Sequence, residues 1–379
     1  MYSSLSIKNF RGIGEEPLKM DNLRRINLIV GTNGSGKTTV LESLFLLGSA
    51  TNPAPSFIVG NLRGHWTQSA DSAWRPLFHG ADPQCPINIS ATCEGSERNL
   101  EIGANAADPL ANFATPLVAH NGTTIKASET ATPLADSPIQ RPAVSTTVSN
   151  TFTIGSIQYK LRMGKGQEVV RSVNFNPANQ SFSSTPPQAT NEEIIPTGFL
   201  ASGGPLNMSG IAREFSSLVR DKQEKDSIQA LQVIEPRLVK VNMLTVDGMP
   251  ALYMDVGLGS LLPLAVAGGG TVWFFAMAMS LTGVRDGVLL IDEIDNGLHH
   301  SVMEQVWRFL AKQAKDFNVQ IFATTHNDEM IRSALNSLQD EAEHPGLFRL
   351  DMVKGKPQVA CYDDEAQQAV LKFGFEVRA

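Results

Sequence analysis

Residues 26–38 read Ile-Asn-Leu-Ile-Val-Gly-Thr-Asn-Gly-Ser-Gly-Lys-Thr, and this run restricts the fold more than any other. Ile26–Val30 suits a buried strand. Gly31, Gly34 and Gly36 then free the backbone to wrap a charged group, and a helix is expected to begin near Lys37. The spacing G-x-x-x-x-G-K-[ST] is that of a phosphate-binding loop. Backbone amides of Asn33, Gly34, Ser35 and Gly36, with the helix N-terminus, would face a polyphosphate. Lys37 would reach the β- and γ-phosphates, and the Thr38 hydroxyl suits a Mg²⁺ ligand, with Thr39 beside it. A glycine-rich surface turn is the competing reading, but it gives no reason for the strand before the loop or the lysine after it.

The chain has 379 residues, enough for one large domain or two ordinary ones. At 42% hydrophobic and 18% charged it reads as a folded, soluble protein. A net charge of −7 gives no global attraction to nucleic acid, although a local basic groove is compatible with it. Cys85, Cys93 and Cys361 follow no metal-ligand spacing and are expected to be reduced thiols in a cytoplasmic protein. The first residues lack a basic stretch followed by an apolar core, so no signal peptide is expected. No charge falls between Asp255 and Arg285, but Pro263 and Gly268–Gly270 cut that stretch. The remainder falls short of the roughly 20 residues a membrane span needs, so a buried helix is expected there.

Along the chain, residues 1–50 read as strands, the phosphate loop and a helix over Thr38–Gly48 that is apolar nearly all round. The helix stops before Asn52-Pro-Ala-Pro55. Residues 51–205 read as an irregular, β-rich insertion, with a helix around Ser69–Phe78 and strands at Cys85–Cys93, Arg98–Ile102, Thr151–Arg162 and Glu168–Phe175. Residues 206–285 read as a helical subdomain interrupted by two strands around Asp247-Gly248. Residues 286–379 alternate strand and helix and end in a hairpin across Lys354-Gly355-Lys356 and a short helix. No heptad repeat is sustained, so a long coiled-coil arm is excluded.

Three further segments carry chemistry. Gly287-Val-Leu-Leu-Ile-Asp292-Glu293 reads as a central parallel strand ending in two acids. In an open α/β sheet such acids emerge beside the phosphate loop. Asp292 would hold Mg²⁺, directly or through water, and Glu293 would polarise an attacking water; a strand followed by an acidic helix start is the plainer alternative. Val319–Thr325 is another apolar strand, and His326 after it either donates to a γ-phosphate or caps the next helix. Gly268, Gly269 and Gly270 precede an apolar helix, forming either a second anion-binding turn or a hinge.

These pieces in this order resemble the ABC-type ATPase heads of the SMC, RecF and OLD group. The carriers are Ile7-Lys-Asn-Phe-Arg11-Gly12, the phosphate loop continuing into Thr39-Val-Leu-Glu42, Leu290-Ile-Asp-Glu-Ile-Asp295-Asn-Gly-Leu298-His299, and Thr324-Thr-His326. The phrase Glu-Ile-Asp-Asn-Gly-Leu-His and the C-terminal segment from Tyr362 to Arg378 resemble the OLD-like branch. The resemblance implies an α/β P-loop fold: an ABC-type head with a mixed sheet, a helical signature subdomain and a β-rich insertion. It implies ATP with Mg²⁺, slow hydrolysis, Arg11 on the nucleotide, and Gly268–Gly270 as the signature closing on ATP held by a second copy. Asp295 and Asn296 would lie in the loop crossing that dimer interface. Ala267 stands where a signature serine is usual, and no glutamine linking core and helical subdomain can be assigned among Gln84, Gln223 and Gln229.

OLD proteins proper carry a Toprim nuclease domain. The 53 residues after His326 (379 − 326) contain no Asp-x-Asp pair, so this chain is not expected to cut DNA. It resembles stand-alone ATPases of that branch, such as the AriA component of the PARIS anti-phage system. Such proteins act as sensor and scaffold for a separately encoded effector, a nuclease or toxin. Two alternatives remain at this stage: a RecF-like ATPase that closes on DNA, and a scaffold that ATP merely glues together.

Overall fold

The described residues of the computed structural model are 1–50, 69–106, 154–164, 168–176, 181–184, 195–204, 206–339 and 344–373, with Ser56, Ile58, Val59 and Gly166. The Asn52–Pro55 break, residues 151–153 of the expected hairpin and residues 374–378 of the C-terminal segment lie outside them. The first part of the chain forms β1 (Tyr2–Lys8), β2 (Leu18–Asp21), β3 (Ile26–Gly31), α1 (Lys37–Gly48) and α2 (Ala70–Trp74). Next come β4 (Ile87–Cys93), β5 (Ser96–Ala106), β6 (Ile154–Met163), β7 (Glu168–Asn176), β8 (Ser181–Ser184) and β9 (Thr197–Leu200). A helical stretch follows with α3 (Met208–Arg220), α4 (Glu224–Ile234), β10 (Lys240–Val246), β11 (Met249–Asp255), β12 (Leu262–Pro263) and α5 (Gly269–Gly283). The remainder is β13 (Val288–Ile291), α6 (Met303–Asp316), β14 (Gln320–Thr325), α7 (Asp328–Ser337), β15 (Gly346–Val353), β16 (Lys356–Tyr362) and α8 (Asp364–Phe373).

The central sheet runs β16-β15-β3-β14-β13-β9. β15, β3, β14, β13 and β9 are parallel to their neighbours, and β16 closes one edge antiparallel. Covered on both faces, β3, β13 and β14 are buried at every position without alternation, as parallel strands covered on two sides must be. β13 is entirely apolar, and the other two carry only a few buried polar residues, which are hydrogen-bonded. β9 is a strand of this sheet although it falls within the 51–205 segment.

The second sheet, β2-β1-β4-β5-β6-β7-β8, is antiparallel throughout. It draws its first two strands from before the phosphate loop and the rest from the middle of the chain. The alternation of Leu5, Ile7, Ile87, Ile89, Leu100, Ile102, Ile157, Tyr159 and Leu161 turns one face of it inward. Helix α1 fills the space between the two sheets, with Val40, Leu41, Leu44 and Leu47 fully buried. That placement explains why its apolar residues form no single stripe: it has no solvent face to keep polar.

The opposite face of the central sheet is covered by α5, α6 and α7, whose core includes Phe274, Phe275, Met277, Trp307, Leu310 and Ile331. α5 is the uncharged segment read as a buried helix, and it is buried nearly throughout. Among the described residues no helix is long and apolar enough to cross a membrane. Cys85, Cys93 and Cys361 are free thiols.

Candidate nucleotide-binding and hydrolytic site

The parallel strands β3, β14, β13 and β9 all end at one rim of the central sheet, and a cavity of about 370 Å³ opens there. It is lined by Asn33, Gly34, Gly36, Lys37, Thr38, Thr39, Glu42, Phe199, Ala201, Ser202, Asp292 and Glu293. Leu350 of β15 presses on the loop from the side. A Cβ on Gly31 would stand 2.2 Å from the Leu350 carbonyl oxygen, and Gly31 has φ +141°, so only glycine fits where the strand turns into the loop. Gly36, also left-handed at φ +102°, caps α1 without a side-chain hydrogen bond, leaving the first helical amides free toward the cavity.

Lys37 is 9% exposed, and its Nζ donates to the carbonyls of Gly31 (2.8 Å) and Thr32 (2.9 Å). Burial holds its pKa below the ordinary lysine value, against the opposing pull of Asp292 and Glu293. The Thr38 hydroxyl lies 3.2 and 3.1 Å from the two Asp292 carboxylate oxygens. This contact joins the phosphate loop to the acid at the end of β13. Asp292 also accepts the Thr324 hydroxyl at 2.6 Å. Burial, slightly reinforced by Glu293, nonetheless keeps its pKa above the ordinary 3.8, outweighing those hydrogen bonds and Lys37.

Glu293 sits at φ +50°, a strained conformation for a side-chain-bearing residue. Two contacts hold it there. Its N–H donates to Thr324 Oγ1 (2.9 Å), and its carboxylate accepts the hydroxyl of Ser202. The residues after it are fixed as well: Ile294 N–H donates to the Thr324 carbonyl, and Thr325 Oγ1 donates to Asp295 at 2.6 Å. Asn296 is exposed.

The remaining expected residues fall elsewhere. His326 is half-buried at the end of β14, with Nδ1 buried and unpartnered, and does not line the cavity. The Arg11 guanidinium is held by Glu42 (2.8 Å) and by the Val59 carbonyl (3.1 Å), so it reaches the cavity wall through Glu42. Gly268–Gly270 start α5 and do not line their own chain's cavity. Gln84 and Gln223 are exposed and Gln229 lines a different groove, so none of the three reaches the site. Ser202 escaped the sequence reading, and Glu42, part of the quoted Thr39–Glu42 motif, was given no role there. Ser202's only signal is the Ala201-Ser-Gly-Gly204 run after an apolar pair, and β9 could not be recognised there from so short a stretch.

The oxygen set fits Mg²⁺. One hydroxyl and one carboxylate are the sparse protein ligands this ion takes when substrate phosphates and water complete its octahedron. Among the described residues no cluster of three His, Cys, Asp or Glu offers an all-protein cage instead.

Asp292 therefore carries a testable consequence. Its raised pKa means that its contribution to stability is fully present below 3.8 and is lost as pH rises through the raised value. Asp292→Asn removes that penalty. It is expected to raise the melting temperature of the nucleotide-free protein at pH 8 by about 1 °C, the shift that about 1 kcal/mol gives in a chain of 379 residues, with little gain near pH 4. Calorimetry at the two pH values checks this; equal destabilisation at both would contradict it.

The family model described as "AAA domain, putative AbiEii toxin, Type IV TA system" matches residues 195–332. A model described as "AAA ATPase domain" matches residues 1–86. An ATP/GTP phosphatase of Helicobacter pylori is 22% identical over 349 residues, 87% of this chain and 86% of that protein. The DNA replication and repair protein RecF of Pseudoalteromonas translucida is 34% identical over 116 residues, 30% of this chain and 29% of RecF. Among solved structures, an SMC head bound to the C-winged helix domain of ScpA aligns over 97% of this chain and 99% of its own, at 13% identity and TM-score 0.49. Two models that are both described as AAA domains thus match the segments that supply the phosphate loop, within residues 1–86, and the strand ending in Asp292-Glu293, within residues 195–332.

Proposed function

We propose that this chain binds and slowly hydrolyses ATP with Mg²⁺ and works as a nucleotide-driven switch, two copies sandwiching two ATP molecules. One observation carries the reading: Thr38 and Asp292, 254 residues apart in sequence, meet across a cavity that Lys37 and Glu293 also line. In that geometry α1 amides and Lys37 bind and orient the triphosphate, and Glu293 orients the attacking water and takes up its proton. Thr38 and Asp292 would hold Mg²⁺, which when bound supplies charge neutralisation at the β- and γ-phosphate oxygens. Ser202 and Thr324 keep Glu293 in its strained place. Arg11 braces the cavity through Glu42, and His326, which stands at the end of β14 outside the cavity lining, would have to turn toward the γ-phosphate to report it. Cytoplasmic, membrane-free action fits this chemistry.

The switch would act on a separately encoded effector protein, a nuclease or toxin, in anti-phage defence, as in the OLD-like branch and AriA. The toxin–antitoxin wording of the family that matches residues 195–332 supports a partnered role. Light scattering tests the switch: with ATP and Mg²⁺ the Glu293→Gln protein should double in mass or assemble further, and ADP should reverse this. An unchanged mass would remove the sandwich.

The RecF match keeps a second reading in view, closure on DNA. That reading would draw on the basic residues near one end, Arg11, Lys19, Arg24 and Arg25, of which Arg11 is paired with Glu42, Arg24 with Asp364, and Arg25 donates to the Ala314 carbonyl. A DNA affinity that falls steeply with salt would favour that reading, and none at low salt would eliminate it.

A further inference from the structure

We infer that Gly297 and Trp273 are positioning residues that lock the glycine turn at the start of α5 to the loop after Glu293, so that both reach a second copy of the chain as one rigid block. This rests on the sandwich reading above. The contact is backbone against backbone. A Cβ on Gly270 would stand 2.2 Å from the Gly297 carbonyl oxygen, and a Cβ on Gly297 would stand 2.8 Å from the Gly270 nitrogen. Gly297 is left-handed at φ +69°, so neither position accepts a side chain without moving the other segment. One turn further along α5, the buried Trp273 indole N–H donates to the Ile294 carbonyl at 3.2 Å. The loop is pinned at its base by Thr325 on Asp295 and closed by the Leu298 N–H on the Asp295 carbonyl.

The outer side of the block is open. No atom lies within 4 Å of a Cβ placed on Gly268 or Gly269, Val266 is 68% exposed, and Asn296 faces solvent. The turn is thus rigid toward its own chain and bare toward a neighbour. Fixing it beforehand removes the ordering that closure on the neighbour's phosphates would otherwise require. In this arrangement Gly297 and Trp273 serve the neighbour's active site, not their own.

The experiment mixes variants. Gly297→Ala alone should keep the ATP affinity of its intact phosphate loop yet hydrolyse at least about 10-fold more slowly. Lys37→Ala alone should be inactive. Mixed one to one, they should recover about a quarter of wild-type turnover, because half of randomly paired dimers are mixed and each holds one intact composite site of two. Trp273→Phe, which keeps the ring and loses the donor, should be rescued in the same way and serves if Gly297→Ala does not fold. Gly268→Glu, whose side chain meets open space in its own chain, is the control. If Gly268→Glu is rescued by Lys37→Ala but Gly297→Ala and Trp273→Phe are not, the positioning role is overturned and the sandwich stands. If none is rescued, the sandwich itself is wrong.

Discussion

Glu293→Gln should slow ATP hydrolysis by about 10²–10⁴-fold while leaving ATP bound, because the amide matches the carboxylate in size but cannot take a proton from water. The structure says why the substitution is clean. The backbone of residue 293 is held at φ +50° by Thr324, and the Ser202 hydroxyl can donate to an amide oxygen as it does to the carboxylate. The site should keep its shape and lose only its base. Phosphate release under saturating ATP, set beside the ATP dissociation constant, separates the two effects. Wild-type turnover in this variant would take Glu293 out of its assigned role.

Lys37→Ala should act on the other quantity. Without nucleotide the ammonium sits on the Gly31 and Thr32 carbonyls, and burial already disfavours its charged form. A triphosphate gives that charge a better partner, so most of the lysine's favourable energy is realised only in the complex. Removing it should weaken ATP binding at least about 100-fold, or about 2.7 kcal/mol. The nucleotide-free fold should survive, since a lysine whose pKa is lowered on folding contributes less stability as pH falls through its ordinary value. Calorimetric titration with ATP decides this, and unchanged affinity would contradict the phosphate-loop assignment.

Legibility in the sequence followed local spacing. The loop from Gly31 to Thr38, the strand ending in Asp292-Glu293 and the apolar α5 were readable because each is a contiguous pattern with its own physical reason. The hairpin about Asp247-Gly248 and the closing hairpin at Lys354-Gly355 were readable for the same cause, and both lie where the turn residues put them. What was not readable depends on contacts between distant segments. β9 is only four residues long and is a strand because β13 lies beside it. Ser202 matters because that pairing delivers its loop to Glu293. The union of β1 and β2 with β4–β8 in one sheet follows from pairings such as Ile7 with Ile89, which no local periodicity announces. Arg11 illustrates the limit from the other side: its motif and that of Glu42 were both visible, but the buried ion pair that joins them was not.

The most direct test of the central claim is a crystal structure of the Glu293→Gln protein grown with ATP and Mg²⁺. The triphosphate should lie in the cavity between α1 and β13. Lys37 Nζ should have left the carbonyls of Gly31 and Thr32 for phosphate oxygens, and Thr38 and Asp292 should sit on the metal. A nucleotide bound elsewhere, or a lysine still folded back on its own loop beside an ordered triphosphate, would contradict the account.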